Sequence, residues 1–78
     1  MRQKTLKLVV TFHTTTAAMA METACTAAGL PGRLIPVPRE ITAGCGMSFR
    51  AEVEQEQSLL DAAKDAGIQV DSAYKLWL

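Results

Sequence analysis

Leu6, Leu8, Val10 and Phe12 alternate with Lys7, Val9 and Thr11. This period of two predicts a strand with one face on a core. His13-Thr14-Thr15-Thr16 follows, and any of the three threonines can cap a helix. Ala17 to Ala28 is rich in Ala and Met and reads as that helix, starting near residue 15. Ala18, Met21, Cys25 and Ala28 fall at spacings of three and four and make its apolar stripe. Gly29 stops it, and Leu30-Pro31-Gly32 turns the chain. Arg33 to Val37 is a short second strand. Pro36 and Pro38 cannot donate to a ladder, so it belongs at a sheet edge. Arg39 to Gly46 is a loop. Met47, Phe49 and Ala51 alternate with Ser48 and Arg50 in a third strand. Glu54 to Ala66 forms a second helix with Leu59, Leu60, Ala63 and Ala66 inward, ended by Gly67. Tyr74, Leu76 and Leu78 alternate with Lys75 and Trp77 in a last strand.

The order β-α-β-β-α-β predicts an α+β fold of the ferredoxin-like, split β-α-β kind. It has a four-stranded antiparallel sheet, strand order 4-1-3-2, with two helices on one face. Right-handed crossovers then bring residues 13–16 and 39–46 to the same end of the sheet.

At 78 residues and 8.4 kDa the chain is a single domain, residues 1–78. So short a chain buries only roughly 60% of its unfolded surface and has little room for a deep cleft. No apolar run approaches the ~20 residues of a membrane span. The basic residues before the first strand precede too short an apolar stretch for a signal peptide. The expected compartment is the cytoplasm, with reduced cysteines. Net charge is zero, although residues 1–39 carry five bases and one acid and residues 40–78 three bases and seven acids. The basic half has no stripe of Lys and Arg with interleaved aromatics, which argues against nucleic acid.

Two cysteines and one histidine are too few for a disulfide scaffold or a structural zinc. Copper-carrying ferredoxin-like domains present a C-x-x-C pair after the first strand, where this chain has His13-Thr14-Thr15-Thr16. No metal or organic cofactor is therefore implied. Cys25 lies on the apolar stripe and reads as core. Met19, Met21 and Met47 read as core filler rather than a soft-metal site. Cys45 stands between Gly44 and Gly46 in a loop that also holds Arg39. Backbone N–H groups of such a loop can form an anion nest. The start of the first helix and Arg39 would both favour a thiolate. Two or three such modest terms lower a thiol pKa by about one unit. Cys45 is equally a small residue in a tight turn, and chemistry alone leaves both readings open. His13 could serve Cys45 as a base or stabilise an anion, although a histidine so placed is more often an ordinary loop residue. Arg39 and Arg50 flank the loop and could steer an anionic partner. Cys25 should lie roughly 15 Å along its helix from the loop end, and a disulfide needs Cα atoms within roughly 7 Å. No Cys25–Cys45 bond within one chain is expected.

From Gly29 to Arg50 the chain reads GLPGRLIPVPREITAGCGMSFR. With the preceding TFHTTTAAMAMETACTAA, it resembles the selenium/sulfur carrier-like family, whose pattern GxPxRLIPxPREIxxxCGxxxR it follows throughout. The resemblance implies a ferredoxin-like fold and a cysteine, here Cys45, that holds sulfur or selenium. The expected function is a carrier rather than a turnover enzyme. Cys45 takes a persulfide or selenosulfide, with Arg39, Gly44, Gly46, His13 and Arg50 in support. The implied partners are protein donors and acceptors, such as a cysteine desulfurase or another sulfur/selenium-transfer enzyme. The alternative is an interaction or redox-sensing module using the same loop. Oligomeric state is open, with the last strand and Trp77 the place for any self-association.

Overall fold

The computed structural model describes residues 4–41 and 46–78. The elements run β1 (Leu6–Phe12), α1 (Thr15–Ala28), β2 (Arg33–Pro36), β3 (Met47–Glu52), a 3-10 turn (Val53–Gln55), α2 (Glu56–Asp65) and β4 (Val70–Trp77). The four strands form one antiparallel sheet in the order β2-β3-β1-β4, the order the sequence predicts. It is an α+β fold of the split β-α-β, ferredoxin-like type.

The period of two in β1 sends Leu8, Val10 and Phe12 to the helix side, where each is buried. They pack with Phe49 and Ala51 of β3, Ala18, Met21 and Cys25 of α1, and Leu59 and Ala63 of α2 in one cluster. Burying a large side chain here stabilises the fold by about 1.5–3 kcal/mol. The other face of the sheet carries no helix. Yet Val9, Thr11 and Ser48 on it are closed to solvent. Val9 lies between Arg50 and Tyr74, and Thr11 between Ser48 and Ser72, so neighbouring strands cover them. The buried hydroxyls are satisfied. Ser48 donates to the Ile35 carbonyl at 3.3 Å.

Both helices end in the same way. Gly29 has φ 72° and Gly67 φ 70°, left-handed values that cost glycine no steric clash. After α1, the Leu30 N–H donates to the Cys25 carbonyl and the Gly29 N–H to the Thr26 carbonyl. After α2, the Ile68 N–H donates to the Ala63 carbonyl and the Gly67 N–H to the Lys64 carbonyl. Each is a Schellman motif. Leu30 and Ile68, the residues just past the glycines, fold back onto the core. Each helix is thereby stopped and its chain returned toward the sheet by one local device.

Several details differ from the expectation. Ala28 and Ala66 are exposed and Leu60 is half-buried, so the buried stripes are narrower than spacing alone suggests. Met19 is 58% exposed and is not core filler. The second helix opens with a 3-10 turn, and the last strand starts four residues before Tyr74, at Val70. β4 is a sheet edge whose helix-side residues Ala73, Lys75 and Trp77 all face solvent. Among the described residues, no helix is long and apolar enough to cross a membrane.

Of the three candidate capping threonines, Thr14 takes the role. Its backbone is extended, and its Oγ1 accepts from the Ala17 N–H at 3.1 Å. Thr14→Ala should therefore destabilise the protein by about 1 kcal/mol. Thr15→Ala and Thr16→Ala should stay within about 0.5 kcal/mol of the parent, as ordinary surface changes do. Urea denaturation of the three variants, with unchanged m values, checks this assignment.

Candidate functional site at the end of strand β1

Thr11 is paired with Ser48 across β1 and β3. The chain therefore leaves β1 toward His13 at the end of the sheet where it arrives in β3 from Gly46. The α1 start lies at this end too, because Thr14 caps the helix two residues after β1 stops. Its first turn holds no acidic side chain, so none of its own carboxylates offsets the positive end of the helix dipole.

On the other side of β1 the pairing with β4 slips. Thr11 faces Ser72 but Phe12 faces Val70, which leaves Asp71 as the extra residue of a β-bulge. A bulge bends its strand and re-aims a side chain. The Asp71 carboxylate meets two groups from the end of β1. Thr11 Oγ1 lies 3.3 Å from Asp71 Oδ2 and 3.3 Å from the Ser72 carbonyl, either of which can accept its proton. His13 Nε2 lies 3.5 Å from Asp71 Oδ1, an ion-pair distance once the imidazole is protonated. Asp71 is mostly covered and His13 mostly exposed. The carboxylate thus lies beside an accessible imidazole through one oxygen and beside the Thr11 hydroxyl through the other.

The other expected site residues are placed as follows. Gly46 has φ 93°, and its carbonyl accepts from the Val37 N–H at 3.0 Å, closing the neck of the β2–β3 loop. Ile41 is buried, with its N–H donating to the Pro38 carbonyl at 3.0 Å. Arg39 is exposed in the turn after β2 and has no ion pair among the described residues. Gly44 and Cys45 lie outside the described residues, as does the expected absence of a Cys25–Cys45 bond. Arg50 stands apart, midway along β3. It faces Arg33 on one side and Val9 on the other. It is four residues, about 13 Å of strand, from Gly46.

Asp71 and Thr11 escaped sequence reasoning. Asp is depleted in strands, and the apolar alternation becomes regular only from Tyr74, so Val70 to Ala73 carried no strand signal. Only the β1–β4 register reveals the bulge.

The chain matches a family model described as "Putative Se/S carrier protein-like" over residues 7–75. It belongs to that family, and the matched span takes in both helices and most of all four strands. No curated protein and no solved structure matches the chain.

Cys25 is the described cysteine, and it is free. It is 1% exposed, and desolvation raises its thiol pKa above the ordinary 9.0. The folded state therefore keeps this proton at pH values where the unfolded chain has begun to lose it. Below pH 9 both states hold it and it leaves stability unchanged. Above that, the unfolded state gains from ionising and stability falls. The unfolding free energy from urea denaturation should drop more between pH 8 and pH 10 for the parent protein than for Cys25→Ala, by ~1 kcal/mol or less. Equal drops would mean that Cys25 ionises as freely folded as unfolded.

Proposed function

We propose that this protein is a sulfur or selenium carrier whose loading site is Cys45. Membership of the carrier-like family over residues 7–75 is the observation that carries this reading. Two features support it. The sheet register puts His13 and the capped start of α1 at the end where β3 begins, directly after Cys45-Gly46 in sequence. The other cysteine is sealed in the core, which leaves Cys45 to react.

The transfer needs no cofactor and no outside oxidant. The Cys45 thiolate attacks the terminal sulfur of a donor persulfide. A new S–S bond forms on Cys45 as the donor S–S bond breaks, and the donor leaves as a thiolate. With a donor selenosulfide the same exchange moves selenium. An acceptor nucleophile then attacks the terminal atom, and Cys45 departs as the thiolate it began as. A carrier of this kind serves a protein donor such as a cysteine desulfurase and a protein acceptor. Arg39, the loop N–H groups around Gly44 and Gly46, and His13 beside Asp71 would stabilise the anionic sulfur.

Incubation with a cysteine desulfurase and cysteine should add mass to the intact protein in steps of one sulfur, all removed by dithiothreitol. Peptide mapping should place the sulfur on Cys45, and Cys45→Ser should gain nothing. A protein that docks to the desulfurase but gains no sulfur would instead be the interaction module. A disulfide on Cys45 without sulfane sulfur would mark the redox sensor.

A further inference from the structure

A second feature sits at the far end of the sheet, where the chain arrives in β2 and leaves β3. A groove of about 390 Å³ opens there, walled by Pro31, Ala51 and Gln55 and by two arginines, Arg33 and Arg50. The arginines are direct cross-strand partners. Residues so placed share one face of the sheet with Cβ atoms about 4.5–5.5 Å apart, and like charges there destabilise the pair. Neither is in an ion pair among the described residues, whose ion pairs engage Lys7, His13 and Lys75. Glu52 also lines the groove, but its carboxylate is bound to Lys7 on β1.

The backbone that carries the arginines is held firmly. The Gln55 side chain accepts from the Glu52 N–H and donates to the Pro31 carbonyl, both at 3.0 Å, and so ties the end of β3 to the chain before β2. Gly32 lies so close to β3 that a Cβ there would stand 2.4 Å from the Phe49 ring and 2.8 Å from the Arg50 carbonyl. Two arginines without an ion pair are thus carried on firmly held neighbouring strands beside a groove of small-molecule size.

We propose that the Arg33–Arg50 groove binds a small phosphate monoester. The paired guanidiniums offer planar forks that match phosphate oxygens. A dianion removes the repulsion between them, and Pro31, exposed at the edge of the groove, supplies an apolar contact for the ester's carbon portion. This site is separate from the carrier reading and does not use Cys45.

The test is an NMR amide titration of Cys45→Ser protein with phenyl phosphate and with inorganic phosphate, chloride being adjusted to hold ionic strength constant. Saturable shifts are expected at Gly32, Arg33, Arg50 and Gln55, larger and at lower concentration for phenyl phosphate. Arg33→Gln and Arg50→Gln should each weaken binding at least about tenfold, the loss of one charge-assisted contact. Both variants should melt at or above the parent temperature without ligand, since each relieves the repulsion. The proposal is overturned by shifts that follow chloride equally or never saturate, or by undiminished binding in both variants. It is also overturned if a Glu-rich peptide binds these residues more tightly than phenyl phosphate does.

Discussion

The structure depends on β1 being bonded along both edges and closed on both faces. Leu8, Val10 and Phe12 are buried beneath the helices, while Val9 and Thr11 are buried on the side without helices. A one-residue slip would exchange those sets and drive Lys7 and Thr11 into the core, so the register is strongly specified. That register does more than stabilise. It opposes Thr11 to Ser48 and Ser72, which sets which loops meet at one end of the sheet and which strand ends meet at the other.

The two ends have different chemistry. At one, a bulge in β4 turns Asp71 toward Thr11 and His13, beside the capped start of α1 and the neck of the β2–β3 loop. At the other, Gln55 clamps the strand ends that carry Arg33 and Arg50. The helices close one face of the core, and their Schellman stops at Gly29 and Gly67 return the chain to the sheet without lengthening the loops. Among the described residues, one end of the sheet thus offers a carboxylate beside an imidazole and the other an open groove lined by two arginines.

Much of this architecture is legible in the residues. The period of two at Leu6 to Phe12, the threonines before an Ala-rich run, and Gly29 and Gly67 at the helix ends each correspond to an observed element. These signals are local, and tertiary contacts reinforce them. The width of the buried stripes is not local. Ala28 and Ala66 keep the helical spacing but lie at the helix ends and are exposed. The Asp71 bulge and the Arg33–Arg50 pairing are non-local as well. Each exists only through a strand register between segments distant in sequence. His13 could be singled out because it is the one histidine in the chain, whereas its carboxylate partner could not. Cys45 owes its prominence to its glycine neighbours and to the family pattern, and neither depends on tertiary structure.

The central claim is that sulfur held on Cys45 is served by the β1 end of the sheet. Amide chemical-shift mapping of reduced against persulfidated protein addresses it directly. Perturbations should cluster at His13 to Thr16, Val37 to Ile41, Gly46 to Ser48 and Asp71, and leave Arg33, Arg50 and Gln55 undisturbed. Shifts confined to the residues adjoining Cys45 in sequence, with His13 and Asp71 unmoved, would contradict it.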